Sequence, residues 1–360
     1  MKVLENTLRC IEPSYKDVMI KTKERLDALA KPIGSLGILE EIAVKISGIT
    51  GEVYNTLSKK NIIIICGDNG VVDEGVSTCP QEVTETVTYN FVKGITGVCA
   101  LSKFTNTELT IADLGIKCDM HSEKILNRKI SYGTKNMVKE PAMTKEQTIR
   151  AIESGIEIVD KLAKEGYKVL GTGEMGIGNT TTSAAVLSVL SGLDVDKVTG
   201  KGSGLTEEQL NHKKNVIKKA IAVNKPDKND IIDVIGKVGG YDIAGLCGCF
   251  LGAAKHRIPI VIDGFIASIS ALCAQRLNKN CKDYMFPSHL SAEPGAIYIM
   301  KELGLEPILN LKMRLGEGSG CPLAFNIMEA ALYTMENMAT FEEAKICKSD
   351  YIDIREENSI

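Results

Sequence analysis

The stretch "YKVLGTGEMGIGNTTTSAAVLSVL", residues 167–190, carries the decision about the fold. A short apolar run, "YKVL", leads into a glycine-rich segment, which opens onto the small and apolar series "AAVLSVL". That order reads as strand, turn and helix, the unit from which parallel α/β sheets are assembled. The turn, "GTGEMGIGNTTTS" at 171–183, has the composition of an anion site, and its spacing admits three readings. As a dinucleotide fingerprint, Gly171, Gly173 and Gly176 satisfy G-x-G-x-x-G. A second strand ending in an acid about 20 residues on is missing, since Asp194 and Asp196 follow no strand. As a P-loop, the register from Gly173 puts Asn179 where the lysine belongs, so a β/γ-phosphate has no partner. As a monophosphate cradle, Gly176 and Gly178 let the backbone close on an anion, with Asn179 and Thr180 at the start of the helix. A plain packing corner remains open beside these. Against it stands Glu174, a carboxylate placed in the turn that asks for a partner such as a ribose hydroxyl.

Working outward, the same alternation recurs. "NIIIIC", 61–66, is a continuous β-branched run expected for a parallel strand covered on both faces, and it ends in the turn "GDNGV". Pro80 suits the first turn of a helix running through Phe91. "LTIADLGI", 109–116, reads as a second strand. Capping boxes at Thr144 ("TKEQ") and Thr206 ("TEEQ") start two helices. Ile149, Ile152, Ile156 and Val159 follow the first at helical spacing, and Gly166 ends that helix. The second carries Lys213. "GLCGCFLGAAKH" reads as a tightly packed helix bearing glycines, "IPIVID" as a buried strand, and "GFIASISALCAQRL" as the helix after it. Ahead of all this, 15–31 and 38–48 are expected as two helices around the turn "PIGS", with Ser35 as N-cap of the second. The tail 354–360 is expected to fray. The expectation is a doubly wound parallel sheet in a three-layer α/β/α core, with a smaller helical part from the N-terminus and from the C-terminus.

Composition narrows the function classes. With 360 residues and 44% hydrophobic content the chain can bury a large core. A net charge of −3 advertises no basic face, which argues against a nucleic-acid or membrane-surface protein and for small metabolites. The longest apolar runs are strand-sized, and the start lacks a charged region followed by an apolar one, so neither a membrane span nor a secretory leader is expected. Eleven cysteines occur without CxxC pairs, and the four histidines without HxH or HExxH spacing. A reduced, cytoplasmic protein with no structural metal is the reading.

A second acid sits in a glycine turn in "RLGEGSG", 314–320, where Glu317 lies between Gly316 and Gly318 and can project into a cavity. Just upstream, "SHLSAEPGA" brings Ser288, His289, Ser291 and Glu293 onto another loop. Taken in order, "LAKPIGSLGILEEIA", "GDNGVVDEGVSTCPQEVT", "GEMGIGNTTTSAA", "RIPIVIDGF", "SHLSAEPG", "LGLEPILNLKMRLGEGSG" and "MATFEEA" resemble the nicotinate-nucleotide–dimethylbenzimidazole phosphoribosyltransferase family over roughly residues 25–345. This family activates the lower base of cobamides, the relatives of vitamin B12.

The resemblance implies transfer of the phosphoribosyl group of nicotinate mononucleotide to a benzimidazole-type base. A ring nitrogen attacks C1′, nicotinate leaves and an α-ribotide forms with inversion. Pyridinium leaves without an acid, so no cofactor or metal is expected. By resemblance Glu317 is the base that deprotonates the acceptor, and Glu174 is a second acid beside the ribose and its developing charge. Gly176, Gly178, Asn179 and Thr180 resemble the phosphate cradle, with Lys213 and Ser291 as further contacts. Ser77, Gln81, Met175 and Leu315 would lie near the acceptor ring. A homodimer is implied by the family alone. The implied division is an N-terminal helical extension serving dimer or lid over 1–58, a catalytic α/β core over 59–325 and a C-terminal helical segment over 326–360.

Three positions depart from the family's pattern. Ile33 and Ile38 stand where proline and arginine are common, and Asn69 where histidine is common. They are expected to reshape the entrance and so the choice of base. Rival readings are a phenol-accepting relative working with a homologous subunit, a metal-dependent phosphoribosyltransferase using a pyrophosphate donor, and a non-catalytic nucleotide-binding subunit. The pyrophosphate-type enzyme needs an adjacent acidic pair after a strand, whereas Asp68 and Asp263 stand singly. The non-catalytic reading predicts loss of Glu317, which is present.

Overall fold

The protein is described by a computed structural model over residues 2–202 and 204–355. Its strands are β1 (Lys60–Gly67), β2 (Glu108–Gly115), β3 (Ile125–Asn127), β4 (Val169–Met175), β5 (Ile260–Ile262) and β6 (Met285–Pro287). Among the described residues they form one sheet in the order β3-β2-β1-β4-β5-β6, every pairing parallel. The strand order reverses between β1 and β4, so the loops leaving those two strands part and open a crevice at the sheet's carboxyl end.

The helices are α1 (Lys2–Cys10), α2 (Lys16–Asp27), α3 (Ile38–Thr50), α4 (Val83–Lys93), α5 (Gly97–Phe104), α6 (Lys145–Lys164), α7 (Asn179–Ser191) and α8 (Val195–Val198). They continue with α9 (Glu207–Asn224), α10 (Ile231–Val238), α11 (Tyr241–Lys255), α12 (Phe265–Leu277), α13 (Ala296–Leu303), α14 (Cys321–Asn337) and α15 (Phe341–Ala344). β1 is buried along its whole length because both faces are covered. Ile65 meets α11 at Gly245, and Ile62, on the opposite side of the pleat, meets Cys321 of α14 across Gly171. One layer holds α11 and α12, the other α4, α5 and α14. The doubly wound three-layer core expected from the sequence is the fold observed. No helix of the described residues is long and apolar enough to cross a membrane.

Both capping boxes are formed, with Thr144 and Thr206 each accepting from the backbone of the glutamine three residues on and receiving its side chain in return. Other expectations need correction. β4 does not stop at Leu170 but runs through Met175, so Gly171, Gly173 and Glu174 lie on a strand and only 176–178 form the turn. Glycine in a strand reads as a turn until the neighbour that demands it is known. α2 ends at Asp27, four residues early, because Leu29 and Ala30 pair instead with Thr340 and Ala339. Ser35 does not cap α3. Gly37 precedes the helix, and the carboxylate of Glu40, one turn in, accepts the Leu36 N–H at 3.1 Å. The turn after Pro80 precedes α4, which starts at Val83. α1 has no counterpart in the sequence reading. The expected fraying fails for its first two residues: Ile354 bonds Ile33, and Arg355 clasps Asp27 and Asp353. The remaining tail, 356–360, lies outside the described residues.

Candidate active site

The loops at the carboxyl end of the sheet enclose a cavity of about 1100 Å³. One wall is the β4 exit. Gly178, at φ +89°, turns the chain so that α7 begins at once, with Asn179 and Thr180 of its first turn lining the cavity. From α9, Lys213 reaches the same place: it is 1% exposed, and its ammonium donates to the Thr180 hydroxyl at 2.8 Å and the Gly200 carbonyl at 3.3 Å. Burial drags its pKa down to about 8, and Glu293 partly opposes that. Ser291 faces this end with its hydroxyl accepting the Glu293 N–H at 3.4 Å, and Glu293 in turn receives the N–H of Gly202. A helix N-terminus, a hydroxyl and a buried lysine thus gather at one end of the cavity, groups of the kind that receive a small anion.

A second wall, packed against β4, is the turn before α14. Gly316, Glu317 and Gly318 all have positive φ, at +80°, +64° and +92°. For a glutamate this region is strained by about 1 kcal/mol or more, so the surroundings must enforce it. Two features do. Asp263, directly after β5, accepts the N–H of Gly318 at 2.9 Å with one carboxylate oxygen and that of Gly320 at 2.7 Å with the other. On β4, a Cβ at Gly173 would lie 2.5 Å from the Glu317 carbonyl oxygen, so only glycine lets the turn seat against the strand. Gly173 of the opening motif therefore serves the Glu317 turn.

Glu174 lies beside that turn at the end of β4. It receives the side-chain amide of Asn179 and the backbone N–H of Glu317. Burial, with Asp242 and Asp263 adding like charge, pushes its pKa up to about 8. Burial, again with Asp263, raises Glu317 to about 7, and its Oε2 is buried without a hydrogen-bond partner. Asp242, at the first turn of α11, is raised by burial to about 6. Three carboxyls at one sheet end thus hold protons near neutrality, the condition under which such groups take and give them.

Most of the residues expected from the sequence meet in this cavity: Glu174, Met175, Gly176, Gly178, Asn179, Thr180, Lys213, Ser291, Leu315 and Glu317 line it, and Ser77 with Cys79 lies at its rim. Gln81 does not line it; its side-chain oxygen takes the Lys117 ammonium at 3.0 Å. Asn69 is also off the wall. It is 1% exposed and sits beneath the Gly176 turn, donating to the Ile177 carbonyl, so it supports the floor and not the entrance. Ile33 bridges to Asp353, and neither it nor Ile38 lines the cavity. The sequence reading missed Asp242, Arg314 at the cavity mouth, and the clamp made by Asp263. Asp263 had a signal, a lone acid between a buried strand and a glycine; Asp242 had none.

A family described as "Phosphoribosyltransferase" matches residues 11–346. The chain is 59% identical to the nicotinate-nucleotide–dimethylbenzimidazole phosphoribosyltransferase of Clostridium tetani, covering 99% of each. This chain belongs to the nicotinate-nucleotide–dimethylbenzimidazole phosphoribosyltransferase family. The enzyme of the same name from Acetivibrio thermocellus is 53% identical over 96% of this chain and 98% of its own. Among solved structures, CobT from Thermus thermophilus superposes with a TM-score of 0.88 at 36% identity, covering 92% of this chain and 99% of its own. The matched span takes in the whole sheet, the start of α7 and the turn carrying Glu317.

Proposed function

We propose that the protein transfers the 5-phosphoribosyl group of nicotinate mononucleotide to a ring nitrogen of 5,6-dimethylbenzimidazole or a related benzimidazole, giving nicotinate and the α-ribotide used in cobamide assembly. The observation that carries this is the joint presence, in one cavity, of a built anion seat and a carboxylate with a free oxygen and a raised affinity for protons.

The 5′-phosphate fits the start of α7 with Lys213 and Thr180, and Ser291 beside them. The acceptor ring fits the side lined by Met175, Val76, Val83, Val87 and Leu315, where Met175 adapts to ring shape. Attack forms the bond from the acceptor nitrogen to C1′ as the bond from C1′ to the pyridinium nitrogen breaks. Nicotinate leaves with the bonding pair, which neutralises its ring. The proton on the acceptor's other nitrogen passes to Glu317, which releases it to solvent after the product departs. Glu174 is largely protonated near pH 7 in the free protein. A pyridinium or oxocarbenium cation beside it favours the carboxylate, so positive charge at the ribose is matched where it develops. We assign the working form to a cytoplasmic homodimer. Ile20 on α2 and Tyr333 on α14 are exposed and offer apolar surface to such a contact; light scattering tests it.

The decisive experiment is turnover of nicotinate mononucleotide with dimethylbenzimidazole, followed by chromatography, for the native protein and Glu317→Gln. The variant is expected to lose at least about 100-fold in kcat while still binding the nucleotide. The native kcat/KM should rise with pH to a plateau above about 7, because the carboxylate form of Glu317 is the active one. A variant within tenfold of native, or a rate falling through that range, excludes Glu317 as the base.

A further inference from the structure

We propose that Asp263 is a positioning residue for the transfer, its carboxylate holding the backbone of the turn so that Glu317 meets the proton of the acceptor base. This rests on the transfer reading above.

Asp263 has nothing left to offer a substrate. It is 2% exposed, and both carboxylate oxygens are committed to the N–H groups of Gly318 and Gly320. Its own N–H is held by the Thr172 hydroxyl at 3.4 Å, and its carbonyl accepts the Ser288 hydroxyl at 3.0 Å. Ser288 in turn meets His289 Nδ1 at 2.9 Å, so β4 and the exit of β6 hold the backbone from which this carboxylate projects. Glu317 lies between the anchored glycine and a second glycine, with its backbone seated on Gly173. A turn of three consecutive left-handed residues has little intrinsic preference for its shape. Without the clamp the turn can open while the sheet beneath stays intact, and the catalytic distance is lost before the fold is.

The clamp also sets the field at Glu317. The charged and titratable groups facing this turn are Glu174 from β4, Asp263 from β5, His289 after β6 and Cys321 at the start of α14, with Asp242 from α11 acting on Glu174. Burial does most to raise the Glu317 carboxyl, and to this Asp263 adds its like charge. Removing it therefore moves two readouts at once: geometry lowers the rate, and the loss of charge shifts the acid limb of the pH profile downward.

The test is Asp263→Asn, which keeps the shape and one acceptor oxygen but presents an amide to the other N–H. Wild type, Asp263→Asn, Glu317→Gln and the double variant are compared on nicotinate mononucleotide with dimethylbenzimidazole. Asp263→Asn should lower kcat by about 30-fold or more, leave the nucleotide KM within about threefold, and move the acid limb of kcat/KM to lower pH. In the Glu317→Gln background the same change should add less than about threefold, since the group it positions is already gone. Multiplicative losses in the double variant, or a rate loss with an unmoved acid limb and a matching rise in KM, overturn the proposal in favour of a purely structural role. No turnover by the wild-type protein sinks the transfer reading itself, a result distinct from either.

Discussion

At the scale of single residues, the site is decided by what two glycines of a recognised motif do. Gly171 and Gly173 fit a nucleotide fingerprint on paper, yet both lie within β4 and face the α14 side, one against Cys321 and the other against the Glu317 carbonyl. The sequence brought Glu174 and Glu317 forward as acids in glycine-rich surroundings, and both line one cavity, but it could not show that one acid's seat is the other motif's glycine. That relation is a contact across roughly 140 positions of chain, and local spacing holds no trace of it. Gly173→Ala follows as a probe. A methyl 2.5 Å from the Glu317 carbonyl must push the turn away. The expected outcome is a kcat at least tenfold below native with little change in the nucleotide KM, read by the same chromatographic assay. A variant with native kcat would show that the turn relaxes without moving its carboxylate.

At the scale of elements, legibility follows how local the cause is. The capping boxes at Thr144 and Thr206 were readable because donor and acceptor lie three residues apart. β1 was readable because burial on both faces leaves an unbroken β-branched run. β3 and β6, at the two edges of the sheet, are three residues each, too short for a period, and β6 ends on Pro287, which an edge tolerates. The end of α2 was misplaced because a partner from the far end of the chain claims the backbone after Asp27. The α6–α11 contact was half legible: the glycines of α11 announced close packing but not its partner. That partner is the α6 backbone, since a Cβ at Gly248 would overlap the Ile152 carbonyl group. Gly248→Ala is therefore expected to destabilise by about 1–3 kcal/mol, in spite of alanine's better helix propensity. Thermal unfolding followed by circular dichroism reads this directly, and a midpoint at or above native would mean that the two helices separate at no cost.

At the scale of the whole molecule, the sheet collects carboxyls at one end, and this couples folding to pH. Glu174, Glu317 and Asp242 are raised to about 8, 7 and 6, chiefly by burial. Between their unfolded values, near 4, and these folded ones, the native state holds more protons than the unfolded chain. Stability is thus fully present below the unfolded values and is lost as pH rises through the folded ones. Lys213 runs the other way, because its lowered pKa gives a contribution present above its unfolded value and lost as pH falls through about 8. The lysine is already close to fully charged in both states well below pH 8, so the carboxyls dominate the slope between pH 5 and 8. The ligand-free protein should therefore unfold at a lower temperature at pH 8 than at pH 5.5. Glu174→Gln, which cannot ionise, should flatten that slope and raise the midpoint at pH 8 by roughly 1–2 °C for each kcal/mol recovered. Scanning calorimetry at both pH values measures this. The variant should at the same time lose transfer activity, since a site that gathers uncompensated carboxyls to meet a cation is less stable until the cation arrives. A native midpoint indifferent to pH across this window, or a Glu174→Gln variant no more stable than native at pH 8, would mean that the buried carboxyls are neutralised by something other than their own protons.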